Sequence, residues 1–540
     1  MADTHTRSLC VEIILWHFGP LTANLAYVLL TRGRLSFPQL ICFTGLKPQT
    51  TRLCIISLVQ HNVLWHAKGD DDVETFEVNV DECLMRLRFG RFIWLTEQIF
   101  GQTAADIVQI ILDHGKLLPH DIRTLLSVED SKALSQIDQV LHKLVSESYL
   151  KPSTILSHLS PRDKCIQYEQ EEKRKITGFP TAKELREAKE TAQARLKCEE
   201  EEAEQIGLKR KATDQAGSRT KRKTVDHEDM VNESVHFRVN YEKFNVHVRN
   251  SLVENAARER FNHGASVIIK ATLKATQSSQ MSVSEARSSP TSIANIMMHI
   301  PEEANIMAGL AYPSKKITTL TCVKDYLGML SCADNPTPEG RASSFVSYST
   351  SKIQVEFEII ARNLRRNLLE AVARDKHGSD GVRIMRLLLT AGKMDEKQIS
   401  KAVMMAPKDV RPLLVALSAD CLISTQEVPK SADRNPTRTF YLWHVDLQKA
   451  FSVILGGVYK TLHNIIARRR AESETIEVAT VLEKRERTDV SQDEGLLTRI
   501  EREVWKDWES KQEKLTVLEK RVEDLVFLLR DLGPVCRADE

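Results

Sequence analysis

Along this chain, short stretches with apolar residues at helical spacing recur, and three of them are followed by the same short sequence motif. Each ends at a glycine, a basic residue and one Leu or Met, after which a second amphipathic stretch begins. The end of a third helical stretch begins 25, 29 and 25 residues after the respective glycine. Glycine supplies a turn that residues with a Cβ resist, so the pattern predicts helix, short strand, helix, helix. The triplets are Gly33-Arg34-Leu35, Gly115-Lys116-Leu117 and Gly392-Lys393-Met394.

A β-hairpin is predicted after the third helix of such a module. In the first module apolar residues alternate in 63–67 and again in 76–80, with the turn Gly69-Asp70-Asp71-Asp72 between them, and a period of two is typical of strands. In the last module 437–445 is the predicted return strand, because it is rich in aromatic and β-branched residues, and 429–436 is a long tip. Helices followed by such a hairpin, the wing, form a winged helix.

A further, less regular module is predicted before the last one. Residues 244–257 and 265–276 carry apolar residues at helical spacing, and 317–332 end in a run similar to the helix ends above. A Ser-rich loop, 278–292, lies between them. Phe345, Val346 and Tyr348 are the candidate wing strand.

Residues 160–233 have few apolar and many charged side chains, which predicts a mostly disordered linker with one helix at 182–204. The linker contains two basic clusters separated by ten residues, a spacing typical of a bipartite nuclear-import signal, although such clusters also arise by chance in charged segments. The candidate import residues are Lys209, Arg210, Lys221, Arg222 and Lys223.

The C-terminal segment has a different periodicity. Its apolar residues are spaced 3-4-3-4-3, which predicts a heptad seam, and an upstream stripe around 458–466 predicts a partner helix in an antiparallel hairpin. An ordinary amphipathic helix packed on a globular body is the alternative. The seam residues are Leu515, Leu518, Val522, Leu525, Leu529 and Leu532.

The predicted fold class is therefore mainly α with small β wings, with about four tandem winged-helix domains and a C-terminal coiled-coil hairpin. The predicted boundaries are 8–82 and 83–159 for the first two winged helices, 160–233 for the linker, 234–350 and 351–448 for the last two winged helices, and 449–540 for the coiled coil.

Composition excludes several classes of protein. Among 540 residues, 42% are apolar and 28% are charged, with a formal net charge of +2, so the chain does not coat nucleic acid. None of its ten cysteines forms a CxxC pair, and no nucleotide-binding, hydrolase, zinc-protease or polymerase active-site motif occurs. We expect no catalysis, cofactor, metal or small-molecule substrate. No run of about 18 uncharged apolar residues is present, so we expect no membrane segment.

A few cations mark candidate DNA contacts, because a winged helix can place its third helix in the major groove and its wing on the backbone. A sequence-specific reader usually carries more Arg, Asn and Gln there, so we favour protein docking as the main role, with local DNA contact through some wings. The candidates are Lys47, Arg52, Lys132, Lys143, Lys408 and Arg411 on third helices, and Lys430, Arg434 and Arg438 on the last wing.

Several short motifs occur in an order and spacing that resemble a known family. They are HFG at 17–19, LVQHN at 58–62, MRLRFGRFI at 85–93, HGKL at 114–117, QEVPK at 426–430, RTFYLW at 438–443 and IARR at 466–469. The chain resembles the third-largest-class subunit of RNA polymerase III, a tandem winged-helix subunit related to the alpha subunit of transcription factor IIE.

The resemblance implies a nuclear, non-catalytic subunit of a polymerase that makes transfer RNA, 5S ribosomal RNA and other small RNAs. It implies docking on the clamp together with two smaller specific subunits, and roles in promoter opening and in recruitment by an initiation factor with a TFIIB-like component. Two alternatives remain at this point: a free nuclear winged-helix DNA-binding regulator, and a scaffold of another complex.

Overall fold

The computed structural model describes residues 3–68, 73–126, 131–176, 181–209, 230–301, 306–310, 318–332, 335, 337, 340, 342–349, 352–430, 439–487, 490 and 497–532. The chain divides into two compact bodies, Met1–Phe244 and Asn245–Glu540, called here the N-terminal and the C-terminal body.

The first module of the N-terminal body is a three-stranded winged helix. In its sheet the strand Glu74–Val78 lies between Leu35–Ser36 and Leu64–Lys68, with Leu35 opposite Phe76 and Leu64 opposite Val78. Val80 begins a helix instead of extending the wing strand as predicted, because Asn79 caps that helix by accepting from two backbone N–H groups. The elements are α1 Thr4–Phe18, α2 Pro20–Arg32, β1 Leu35–Ser36, α3 Phe37–Thr44, α4 Pro48–Gln60, β2 Leu64–Lys68, β3 Glu74–Val78 and α5 Val80–Met85.

The second module closes its wing with a strand that lies far along the chain. Leu150 pairs with Val239, and an isolated bridge joins Leu117 to Phe237, which is fully buried in the aromatic core of the module. The predicted boundaries at 159 and 234 are therefore wrong, since residues assigned to the third module complete the second. The elements are α6 Phe89–Phe100, α7 Gln102–His114, α8 Pro119–Leu125, α9 Ser131–Ser146, β4 Leu150–Ser153 and, after the insertion between them, β7 His236–Val239.

The segment between β4 and β7 is an insertion in the wing. The helix predicted at 182–204 is confirmed, since Ala182–Gln205 is helical, whereas the disorder predicted before it is wrong, because Pro161–Lys175 forms a second helix. Two long helices run antiparallel and are joined by polar contacts: the Tyr168 hydroxyl donates to Glu199 at 2.5 Å, and Arg195 pairs with Glu171 at 2.8 Å. Two small apolar side chains of the second helix, Ala188 and Ala192, are buried, so the pair of helices buries little apolar area. The elements are α10 Pro161–Lys175, α11 Ala182–Gln205, β5 Leu208–Lys209 and β6 Met230–Val231.

The third module lies mainly in the C-terminal body. Its Ser-rich segment is folded around Arg249, which is fully buried, donates to the Ser282 carbonyl at 3.0 Å and to Gln280 Oε1 at 2.8 Å, and stacks on Phe357 at 3.6 Å. The elements are α12 Tyr241–Arg260, α13 His263–Ala275, α14 Ile293–Met298, α15 Thr319–Leu330, β8 Val346–Tyr348 and β9 Ile353–Val355.

The fourth module repeats the sheet topology of the first: the strand Thr439–His444 lies between Met394–Asp395 and Ser424–Pro429, with Met394 opposite Trp443. Two helical segments lead into it and meet at a kink at Gly378, whose φ of +70° and ψ of −165° are not helical. The elements are α16 Phe357–Ala391, β10 Met394–Asp395, α17 Glu396–Val403, α18 Pro407–Ala419, β11 Ser424–Pro429 and β12 Thr439–His444.

Three C-terminal helices follow, α19 Leu447–Ser473, α20 Ile476–Arg485 and α21 Arg499–Val526, which continues through a π turn at Phe527–Asp531. Helices α19 and α21 run antiparallel: Arg469 pairs with Glu519 at 2.5 Å and Glu472 with Lys511 at 3.0 Å. By length and composition α19 could cross a membrane, but its Ala450 and Phe451 belong to the core of the fourth module.

The predicted heptad seam is buried at one end only. Leu529 and Leu532 are buried, Leu515, Val522 and Leu525 are half-buried, and Leu518 is 44% exposed. Nearly buried Arg365 of α16 fixes this end by donating to the carbonyls of Leu528 and Leu532, at 3.0 and 2.7 Å. The predicted fold class, mainly α with small β wings in tandem modules, is confirmed.

Candidate functional site

The third helix of the first module, α4, presents both of its candidate cations to solvent. Lys47 occupies the N-cap position without a side-chain capping bond, and Arg52 lies over the ring of Phe37 at 5.3 Å. Among the described residues neither cation pairs with a carboxylate. Both charges are therefore available to an acidic partner, whether DNA or protein.

Two aliphatic side chains lie beside these cations on the outward face of α4. Leu53 is 68% exposed and Ile56 is 64% exposed, and their spacing of three residues places them on one side of the helix. Exposed Gln49, at i−4 from Leu53, extends the same face. Charged residues are depleted and large apolar residues enriched at the centres of protein interfaces, so this face fits protein better than base edges.

The third helix of the second module, α9, is different. Lys132 and Lys143 are both exposed, and Lys143 lies over the ring of Phe100 at 5.1 Å. Its other exposed positions among the described side chains are Ser135, Gln136, Asp138, Gln139 and Ser146. Asp138 is held by Arg123 at 2.8 Å. This face is polar and carries no large exposed aliphatic residue among its described side chains.

In the fourth module the candidate cations of α18 are divided. Lys408 is exposed, whereas Arg411 pairs with Glu396 at 2.6 Å and so has part of its charge compensated. Val415 on the same helix is 64% exposed, and Met404 in the preceding turn is 91% exposed.

The wing of the fourth module carries one described candidate cation, Lys430, whose ammonium lies 4.3 Å from the centre of the Phe440 ring. Phe440 and Tyr441 are 48% and 41% exposed, and Val428 is 38% exposed. Arg434 and Arg438 lie outside the described residues, as do four of the import candidates: Arg210, Lys221, Arg222 and Lys223. The fifth, Lys209, belongs to β5.

Sequence reasoning missed a polar junction between the first two modules. Gln60 donates to the Lys116 carbonyl at 2.7 Å, and the Lys116 ammonium donates to the Val59 carbonyl at 3.2 Å. Gly115, with φ +84°, lies so close that an added Cβ would be 2.5 Å from the Gln60 carbonyl oxygen. The motifs LVQHN and HGKL were both visible in the sequence, but their contact was not.

Charges at this junction are strongly perturbed. Burial, with a contribution from nearby Arg86, lowers the pKa of His61 to about 3. Burial and the charge of Arg238 lower the pKa of Lys116 to about 8. His61 is therefore neutral at physiological pH, and its ring contacts that of Phe18 edge-on at 4.9 Å. The junction holds the two modules together, and nothing in its geometry resembles a catalytic centre.

Within the described residues, no group of three or more His, Cys, Asp or Glu side chains is placed to hold a metal ion. The triple carboxylate at 70–72 lies outside the described residues. The prominent features of the described surface are thus exposed third helices and wings, some apolar and some weakly basic.

Comparison with known proteins gives a consistent result. The family described as "RNA polymerase III subunit RPC82" matches residues 139–331, its helix-turn-helix domain matches residues 8–67, and the family described as "POLR3C, C-terminal winged-helix domain" matches residues 369–445. DNA-directed RNA polymerase III subunit RPC3 of Bos taurus and that of Homo sapiens are each 24% identical to this chain over 558 residues, covering 96% of it and 97% of the relative. The rpc3 subunit of Ajellomyces capsulatus is 36% identical over 178 residues, which cover 33% of this chain and 27% of the relative.

Proposed function

Since the chain belongs to the RPC82/RPC3 family of RNA polymerase III subunits, we propose that it acts in transcription initiation as a non-catalytic docking subunit. The polymerase that contains it makes transfer RNA, 5S ribosomal RNA and other small RNAs in the nucleus. Its winged helices dock on the clamp and on two smaller polymerase-III-specific subunits. They also help the TFIIB-like initiation factor to recruit the enzyme and open promoter DNA.

The observation that supports docking is the exposure of large aliphatic side chains on third helices. Leu53 and Ile56 on α4 and Val415 on α18 are each at least 64% exposed. A free sequence-specific regulator would need Arg, Asn or Gln at these positions to read base edges. Aliphatic residues there favour a subunit whose third helices face other proteins.

Local contact with DNA is assigned to the wing of the fourth module. Lys430 directly follows β11, and its ammonium lies over the ring of Phe440. Arg434 and Arg438 follow it in the sequence. Cations on a wing neutralise backbone phosphates without reading sequence. This contact would hold promoter DNA during opening without selecting it.

The assembly proposal is tested by native purification of the tagged chain at moderate salt, followed by mass spectrometry. We expect the two largest RNA polymerase III subunits and the smaller specific subunits to remain bound. Recovery of the chain alone, or with an unrelated complex, would contradict the proposal.

The DNA proposal is tested in the assembled polymerase by changing Lys430, Arg434 and Arg438 together to Ala and measuring promoter opening. We expect opening to fall, and the opening that remains to depend less steeply on salt than in the unchanged polymerase, because fewer phosphates are neutralised and fewer counterions are released. Changing Lys397, Lys449 and Lys460, three exposed lysines outside the wing, together to Ala removes the same charge and separates wing effects from a general loss of charge. Unchanged opening in the triple variant would remove this wing from the DNA path.

A further inference from the structure

The outward face of α4 and the outward face of α9 differ in chemistry although both belong to third helices. On α4, two aliphatic residues occupy the centre of the face and two cations lie toward its N-terminal end. On α9 the described outward residues are polar or charged throughout. A face that only met solvent would gain nothing from Leu53 and Ile56, because large exposed aliphatic side chains in a cluster mark interaction sites.

We propose that the α4 face binds an amphipathic helix of another polymerase subunit, whose apolar side chains cover Leu53 and Ile56 and whose carboxylates meet Lys47 and Arg52. This inference rests on the proposed docking function and adds the chemistry of the partner. An occupant of this kind uses apolar residues at spacings of three and four, as amphipathic helices do in grooves.

Charge selects an acidic partner segment. Neither Lys47 nor Arg52 pairs with a carboxylate among the described residues, and Arg52 is positioned by the Phe37 ring at 5.3 Å. A guanidinium that is already ordered loses little freedom when a carboxylate binds it in two-pronged fashion. No acidic side chain occurs in the first turn of α4, so a carboxylate arriving there meets no repulsion from this helix.

Nucleic acid fits this face less well. Two aliphatic side chains at the middle of a reading helix would displace water from phosphates or base edges without replacing the lost hydrogen bonds. Against protein, the same side chains form the apolar centre of an interface and the two cations form part of its polar rim. The arrangement therefore favours a protein segment over DNA.

The experiment places the photo-reactive residue p-benzoylphenylalanine at position 53, or in a second preparation at position 298, in the complete purified polymerase. Met298 is 80% exposed on α14 and serves as the matched control. We expect position 53 to cross-link to one polymerase subunit, within a segment that is amphipathic at helical spacing and carries at least two carboxylates. A cross-link to nucleic acid, to a second copy of this chain or to a basic segment, or no cross-link at all, would overturn the inference.

Charge reversal tests whether the partner segment is acidic. Changing Lys47 and Arg52 together to Glu should lower the cross-linking yield from position 53 at least about tenfold, because each reversal replaces an attraction with the repulsion of a like charge. Replacing the partner's carboxylates with Lys should restore the yield. An unchanged yield would refute the acidic partner. If the chain fails to copurify with the polymerase at all, the proposed function fails; if it copurifies but position 53 captures no acidic helix, only this inference fails.

Discussion

Replacing Gly115 with Ala should separate the first two modules of the N-terminal body. The added Cβ would lie 2.5 Å from the Gln60 carbonyl oxygen and 3.0 Å from its carbonyl carbon, whereas ordinary contacts begin near 3.4 Å. The Cβ would also lie 2.9 Å from His61 Nδ1, in a ring that can rotate, but the two Gln60 atoms are backbone and cannot rotate away. The junction must therefore open by about 1 Å to reach van der Waals distance.

The magnitude follows from the bonds that this opening breaks. The neutral hydrogen bond from Gln60 to the Lys116 carbonyl contributes about 1 kcal/mol, and the charged one from Lys116 to the Val59 carbonyl about 1.5–3 kcal/mol. Together they make the junction-specific cost about 2.5–4 kcal/mol. Alanine at a positive φ adds a further cost of about 1–3 kcal/mol.

Two glycines at the same place in other modules serve as controls. Gly33 and Gly392 also have positive φ, of +86° and +77°, but a Cβ there meets nothing within 4 Å. Gly33→Ala and Gly392→Ala should show the backbone cost alone. The comparison thus isolates the contact between modules.

Hydrogen–deuterium exchange measures the opening locally. In Gly115→Ala, the amides of 58–64 should lose protection about 100- to 1,000-fold beyond the loss in the control variants, as the junction-specific cost requires. Equal losses in Gly115→Ala and Gly33→Ala would refute the argument that the junction depends on this close approach.

Two further predictions concern other buried polar groups. Arg365→Ala removes the donor from the buried Leu532 carbonyl and the part-buried Leu528 carbonyl. The end of α21 should therefore become about 2–4 kcal/mol less stable and be cut faster in limited proteolysis. The Arg362 side chain is 48% exposed, so Arg362→Ala should change the cleavage rate little, and equal rates in the two variants would contradict the prediction. His61 has a pKa of about 3 when folded and 6.5 as its ordinary value, so the unfolded chain binds the extra proton between these pH values and stability falls as pH drops from about 6.5 toward 3. His61→Gln should reduce this slope in denaturant titrations at pH 4.5, 5.5 and 6.5, by at most about 1.4 kcal/mol per pH unit, and an unchanged slope would exclude His61 as its source.

Local patterns in the sequence were sufficient for the modules whose helices and strands are consecutive. In the first module the turn at Gly33, the alternation at 76–78 and the helix end at 58–62 each follow from neighbouring residues. The same holds for the fourth module, where the aromatic strand 439–444 pairs with the strand just before it. Periodicity reports which residues share a face of one element, and these modules need no further information.

The second module could not be completed in this way. Its wing strand β4 pairs with β7 across the whole insertion, and no local pattern identifies a partner at that distance. The composition of the insertion predicted the helix at 182–204 but disorder before it. Tyr168 and Glu171 of α10 pair with Glu199 and Arg195 of α11, and these polar contacts hold the unpredicted helix α10. Such compensation exists only when both helices are present.

The candidate site also contains features that the sequence predicted and features that it did not. The cations of the third helices could be read from the sequence, but α4 contains apolar residues at nearly every position from 53 to 59, so its pattern does not tell which of them face outward. The tertiary structure decided that Cys54, Ile55 and Leu58 are buried while Leu53 and Ile56 are exposed. The sequence alone determined the kind of most elements of the first and fourth modules and the repeat of the modules, because these depend on neighbouring residues. Strand partners, the junction at Gly115 and the exposed face of α4 were decided by the tertiary structure, because they depend on which distant surfaces exclude water from one another.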